Sequence, residues 1–243
     1  MNNIALLIST FDYSEDLWFP LEKTYNKFWS DINVPVYLTT NHKDYSGEFF
    51  TALKIGDELS WSDNLIKSLN KIDEKYIFLT FDDLFLTAKV DNTKVKELMF
   101  HAIENEFNYL QFYRSISLGK RESKDLFKKN RATKYRNSTI WSFWKKEVLL
   151  DLLEKNENAW EFEKLGNLRS QKYNNFYSTR KNIIPFVNGV IKGKWEILAK
   201  KRITNFGIQI DEKRNTLNFI QMLYYHFKNT QFDVLTYLIH KIY

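Results

Sequence analysis

An α/β sandwich with a mainly parallel sheet is the fold class this sequence predicts, and three observations predict it. Short apolar runs alternate with amphipathic stretches through the first half of the chain, as the strands and crossover helices of a parallel sheet do. Residues 76–86 form a nearly unbroken apolar and aromatic run, the pattern of a strand buried on both faces. The chain is 44% hydrophobic and 17% aromatic over 243 residues, enough to bury one large core.

The elements follow in order. An apolar run at 4–9 leads into Thr10-Phe11-Asp12 and reads as a first strand entering a polar loop. Leu17, Leu21, Tyr25 and Phe28 recur at helical spacing over 17–29, with Pro20 near the start, where a helix tolerates it. Strands are expected at 34–39 and 51–55. Ser60 or Ser62 can cap a helix that runs to Lys71, with Leu65, Ile66, Leu69 and Ile72 on one face. Residues 76–81 form the strand that delivers Asp82 and Asp83. A helix is expected at 93–105, a strand at 109–113, and helices at 145–153, 159–168 and 196–205, with a strand-like run at 183–191. The aromatic, amphipathic tail 216–243 is expected to pack as a helix on a single domain formed by residues 1–215.

The composition excludes several function classes. There are no cysteines, so disulfides, thiolate metal sites, iron–sulfur clusters and cysteine nucleophiles are ruled out. The four histidines show no ligand spacing, and no Walker loop, dinucleotide-binding glycine motif or Gly-X-Ser-X-Gly elbow occurs. Met1-Asn2-Asn3-Ile4 lacks the basic region of a secretory leader, and no apolar run is long enough to span a bilayer. A cytoplasmic protein is expected, at most peripheral to the cytoplasmic face of the membrane.

The formal net charge is +6, and it is concentrated. Segment 114–136 holds nine basic residues (Arg114, Lys120, Arg121, Lys124, Lys128, Lys129, Arg131, Lys134, Arg136) against Glu122 and Asp125. It reads as a loop-like patch that is either simply solvated or binds an anionic surface, with the inner membrane as the expected partner for it or for the tail helix. Nucleic acid is not expected, because no nucleic-acid motif accompanies the charge.

Three constellations can carry chemistry. Asp82-Asp83 closes the apolar run, and two adjacent buried carboxylates need a compensating cation. A divalent metal sharing oxygens with a phosphorylated ligand would supply one; a solvated turn is the alternative. Trp160-Glu161-Phe162-Glu163 sets two acids in an aromatic context, suited either to a general base or to an ordinary helix start. Residues 188–195 interleave two glycines with Lys192 and Lys194, either a mobile cationic loop over a diphosphate or a plain turn. In open α/β sheets ligands bind outside the carboxyl ends of the strands, so Asp12 and the acidic pair should share one crevice.

The order of these segments resembles bacterial GT-A-type glycosyltransferases of surface-polysaccharide (capsule or lipopolysaccharide) biosynthesis. The resemblance rests on Ile8-Ser9-Thr10 with Asp12, Trp61-Ser62-Asp63-Asn64-Leu65, Phe81-Asp82-Asp83-Leu84-Phe85-Leu86, Trp141-Ser142-Phe143-Trp144-Lys145-Lys146, Trp160-Glu161-Phe162-Glu163 and Gly189-Val190-Ile191-Lys192-Gly193-Lys194-Trp195. It implies a Rossmann-like, GT-A-like domain and transfer of a sugar from a nucleotide-sugar donor to a hydroxyl of a glycan or glycolipid acceptor. By the same resemblance Asp83 and Asp82 would hold Mn²⁺ or Mg²⁺. Ser9, Thr10, Asp12, Trp61, Asp63 and Asp82 would line the donor site. Lys192 and Lys194 would meet the diphosphate, and Glu163, or Glu161, would deprotonate the acceptor. The usual metal motif in such enzymes is Asp-X-Asp, whereas these acids are adjacent; adjacent side chains of a regular strand face opposite ways, so both can serve one ligand only if the strand ends at Phe81. Two other classes stay open: a metal-dependent nucleotidyl- or phosphotransferase, and a non-catalytic module binding anionic polymer or membrane.

Overall fold

The structure is a computed structural model that describes residues 3–114, 119–133, 135–222 and 225. In chain order the elements are β1 (Ile4–Ser9), a 3₁₀ turn (Asp12–Ser14), α1 (Glu15–Phe28), β2 (Val36–Thr40), β3 (Thr51–Lys54), α2 (Trp61–Lys71), β4 (Tyr76–Phe81), β5 (Leu84–Leu86), α3 (Asn92–Glu104) and β6 (Tyr109–Gln111). There follow β7 (Gly119–Arg121), β8 (Leu126–Lys129), β9 (Ser142–Lys145), α4 (Lys146–Leu152), α5 (Ala159–Arg169), β10 (Phe176–Thr179), β11 (Phe186–Asn188), β12 (Val190–Ile191), β13 (Lys194–Trp195) and α6 (Ile197–Asn205).

Nine strands form one sheet in the order β3-β2-β1-β4-β9-β6-β10-β8-β7. The first four are mutually parallel, β9 runs against both its neighbours, and β10 is parallel to β6. The mixed, mainly parallel α/β class is therefore the observed one. Alternation along β1 feeds both faces: Ile4, Leu6 and Ile8 pack with α1 and α3, while Ala5 and Leu7 pack with α2, α4 and α5. The adjacent parallel strands β1 and β4, inside the sheet, pair from Ile4↔Tyr76 to Ser9↔Phe81. That register brings Thr10 and Asp82 to the sheet edge side by side.

Several expectations change here. Part of the basic segment is strand rather than loop: Gly119–Arg121 and Leu126–Lys129 form a hairpin, and β8 pairs with β10. Lys129 and Arg136 are buried, so they are not part of a surface patch. Burial is met by local bonding: Lys129 Nζ donates to Gln111 Oε1 and to the Arg136 carbonyl, while the Arg136 guanidinium donates to the Ser170 and Tyr173 carbonyls. The run at 183–191 divides into β11, which pairs with β5, and β12, which pairs with β13. Strands β5, β9 and β10 were not expected from the pattern. The tail beyond Met222, Tyr225 excepted, lies outside the described residues, and so does most of the helix expected there. Among the described residues, no helix is long and apolar enough to cross a membrane.

Candidate functional site

β4 ends at Phe81, and Asp82-Asp83 form a turn before β5. The strand therefore stops where it must for adjacent carboxylates to serve one cleft. Asp82 is buried and accepts a hydrogen bond from Thr10 Oγ1 at 2.5 Å; Thr10 Oγ1 in turn accepts from Trp18 Nε1 at 3.0 Å. Burial pushes the Asp82 carboxyl up, against the hydrogen bonds of Thr10 and Ser14 and the charge of Arg214. Asp83 is raised as well, first by burial and then by the charge of Asp82. Its backbone carbonyl accepts the Gly189 N–H at 2.7 Å, which docks the β11–β12 junction against the turn.

A cleft of about 390 Å³ opens over this turn. Asp82 and Asp83 line it together with Trp61, Thr139, Trp160 and Glu163. Glu163 reaches it from α5, and its position is fixed at one oxygen. Oε1 accepts from Ser138 Oγ at 2.8 Å, the Thr139 N–H at 2.9 Å and Thr139 Oγ1 at 3.1 Å. None of the described residues donates to Oε2. Such a carboxylate is oriented as a base should be, with one oxygen held and the other available. Trp160, one helical turn earlier, exposes 74% of its surface at the cleft.

The remaining expected residues divide between the cleft and its framework. Ser9 Oγ accepts from Trp61 Nε1 at 3.1 Å, fixing that ring at the wall. Asp12 clasps the loop after β2: its carboxylate accepts backbone N–H groups of Asn41, His42 and Lys43 at 2.8, 2.9 and 3.1 Å. Burial raises the Asp12 pKa, but these three bonds outweigh it and hold the carboxyl below the usual range. Asp63 accepts from Ser60 Oγ and from the Asn156 N–H, and these bonds lower its pKa in that order. Both aspartates thus tie loops together at the carboxyl edge. Glu161 closes a capping box with Asn158 at the start of α5, its carboxylate accepting the Asn158 N–H at 2.8 Å. That bond gives Glu161 the work of a helix start and leaves Glu163 at the cleft. Lys192 lies in the β12–β13 turn and Lys194 opens β13; both line a second cavity with Asp12 and Arg214.

Sequence reasoning missed Ser138 and Thr139, which grip Glu163, and Arg214, which faces Asp82 electrostatically. The polar triplet Asn137-Ser138-Thr139 just before the β9 motif was an available signal for the first two. Arg214 has none; it sits in a charged stretch, and only folding brings it to Asp16.

No family model and no curated relative matches the sequence. Solved structures do match the fold. TarS (residues 1–349) from S. aureus in complex with UDP superposes with a TM-score of 0.52 at 8% identity, covering 76% of this chain and 59% of that one. The same protein with UDP-GlcNAc gives 0.50 at 8% identity, covering 76% and 57%. UDP-glucose pyrophosphorylase with UDP-glucose gives 0.54 at 6% identity, covering 85% and 99%. The chain has a GT-A-like, Rossmann-like fold. It spans about three-fifths of the TarS chains it matches. At these identities the likeness concerns the fold, and chemistry must be argued from the site.

The residues suit Mg²⁺ or Mn²⁺ shared with a diphosphate. Asp82 and Asp83 offer hard oxygen donors, and Asp83 accepts no side-chain hydrogen bond from another described residue. Among the described residues no group of three His, Cys, Asp or Glu side chains forms a cage, so phosphate oxygens would have to complete the coordination.

Proposed function

We propose that this protein transfers a sugar from a nucleotide-sugar donor to a hydroxyl of a glycan or glycolipid acceptor in bacterial surface-polysaccharide synthesis. The observation that carries the reading is the cleft shared by the Asp82-Asp83 turn and the oriented carboxylate of Glu163. A donor diphosphate beside the acidic turn and an acceptor hydroxyl beside Glu163 would meet within it. Glu163 Oε2 takes the hydroxyl proton as the acceptor oxygen bonds to the anomeric carbon. The bond from that carbon to the diphosphate breaks, and the leaving oxygen takes the electron pair. Mg²⁺ or Mn²⁺ held by Asp83, with Asp82 beside it, would neutralise charge on that leaving group. Trp160 offers the apolar face of an acceptor ring a surface to stack on.

The test is a thermal-shift screen of UDP-, GDP-, CMP- and dTDP-sugars, each with Mn²⁺ and with EDTA. A ligand that binds only the folded state raises Tm with the logarithm of its concentration. One nucleotide class should stabilise the protein, more strongly with Mn²⁺; no shift with any of them overturns the reading. The competing reading, nucleotidyl transfer, draws on the pyrophosphorylase fold that this chain matches over 99% of its length. The two differ in what leaves: mass analysis should find nucleoside diphosphate, whereas pyrophosphate as the product would favour nucleotidyl transfer.

A further inference from the structure

A lysine ammonium inside a protein is costly, and Lys129 on β8 is only 4% exposed. Its nitrogen donates to Gln111 Oε1 and, at 2.9 Å, to the Arg136 carbonyl, and it lies 5.0 Å from the centre of the Tyr109 ring. From there a chain of buried groups runs to Glu163. The Tyr109 hydroxyl lies 3.3 Å from both Gln111 Oε1 and the Ser138 carbonyl, and its oxygen accepts the Ser138 N–H at 2.9 Å. Ser138 Oγ, which donates to Glu163 Oε1, is itself 3.0 Å from the Tyr113 hydroxyl. The chain ends on the oxygen of Glu163 that is held, leaving Oε2 to the cleft.

Charged groups and phenols meet along this chain. The phenols are Tyr109, Tyr113 and Tyr135; burial raises all of them, Tyr113 to about 12, so they are neutral at physiological pH. The charged groups are Glu163 on α5, Lys129 on β8 and Arg136 before β9. Burial pushes the Arg136 guanidinium down to about 10, with the charge of Arg131 adding to the fall, which leaves it cationic at neutral pH. Burial also drives Lys129 well below the usual lysine range; Glu163 acts the other way, and Arg136 adds to the fall. Glu163 is thus the acid that supports this ammonium. Linkage makes the support mutual: a cation that Glu163 stabilises favours the ionised form of Glu163 by the same free energy. The support has a local use, since Asp82 and Asp83 line the same cleft and like charge opposes ionisation.

We propose that Lys129 is a positioning residue for Glu163: a buried cation behind the base, joined to it through Gln111, Tyr109 and Ser138, that favours the ionised carboxylate at the cleft. This role rests on the sugar-transfer reading, in which Glu163 takes the acceptor's proton, and deepens it by naming the group that keeps Glu163 able to do so.

The full chain, labelled with ¹³Cε-lysine, is titrated by NMR as wild type and as Glu163→Gln, which keeps the held oxygen and removes the charge. Lys129, recognised by its contact with the Tyr109 ring, should titrate below the exposed lysines in the wild type and lower still in Glu163→Gln. An unchanged midpoint overturns the proposal, and so does a Lys129 that is neutral throughout the pH range of activity. Lys129→Met supplies the second arm, because many cores tolerate an apolar chain of similar volume in place of a buried charge. Its donor KM should match that of the wild type, while kcat falls about tenfold on the acid side of the pH profile and recovers as pH rises. A loss equal at every pH would mark a structural role only and overturn the proposal. If Lys129→Met fails to fold, the lysine titration decides alone. Coupling without sugar transfer from any donor overturns the reading beneath the proposal. Sugar transfer without coupling overturns the role of Lys129 and leaves that reading standing.

Discussion

Asp83 is half-buried at the end of a buried strand, so its carboxylate has lost part of its hydration, a loss that a ligand or a cation would offset. Its folded-state pKa is raised by burial and by Asp82. A raised carboxyl pKa penalises folding of the ionised form. The penalty is absent below the unfolded value, about pH 4, and fully present once pH exceeds the folded value. Asp83→Asn should therefore stabilise the ligand-free protein at pH 8, by roughly 1–2 kcal/mol, and leave it nearly unchanged at pH 4. The same variant should lose transfer and Mn²⁺-dependent donor binding. Denaturant titrations at the two pH values check the first statement; equal effects at both would show that the charge is not the cause. Glu163→Gln preserves the acceptor oxygen that Ser138 and Thr139 hold, so it should fold and bind donor normally while kcat falls about 10²- to 10⁴-fold. Both residues stood out in the sequence because acids in aromatic surroundings are unusual. Arg214 did not, since a charged residue among charged neighbours looks solvated until folding supplies its partner.

Elements position these side chains, and two of them do so through features with measurable strength. The Asn158–Glu161 box starts α5 and so sets the direction in which Glu163 projects two residues later. Asn158→Ala should cost about 1 kcal/mol and lower kcat/KM more than a surface change of equal cost elsewhere. Gly189 is needed for close packing: a Cβ there would lie 2.4 Å from the buried Phe85 ring. Gly189→Ala should destabilise by about 1–3 kcal/mol, seen as a lower denaturation midpoint with an unchanged slope. The longer helices and the parallel strands β1–β4 were legible because each carries its own pattern and, at α2, its own cap. The antiparallel β9 and the hairpin β7–β8 were not. β9 is four residues long, its apolar pattern serves helix or strand equally, and the hairpin's charged sequence conceals a strand that only pairing with β10 reveals.

At the scale of the molecule, the sheet and its carboxyl edge are held by different forces. The body rests on apolar burial on both faces of β1 and β4, which pH does not touch. The edge rests on carboxylates used as clasps. Asp12 joins the loop after β1 to the loop after β2, and Asp63 joins the start of α2 to the loop before α5. Both have depressed folded-state pKa values. Their contribution is present above the unfolded value, about pH 4, and is lost as pH falls through the lower folded value. Asp82 and Asp83 have the opposite sign: with raised folded-state pKa values, they become easier to bury as pH falls toward the unfolded value. Acid should therefore loosen the rim of the site before it unfolds the sheet. Hydrogen-exchange protection factors, corrected for intrinsic rates, should fall between pH 6 and pH 3 at the amides of Asn41, His42, Lys43 and Asn156. Those of Leu6, Leu7, Phe78 and Leu79 should hold. Asp12→Asn should show the loosened rim already at pH 6, because an amide oxygen accepts three N–H groups less strongly than a carboxylate does. Uniform loss of protection across rim and sheet would mean that the edge has no independent opening and that these clasps are part of one cooperative unit with the core.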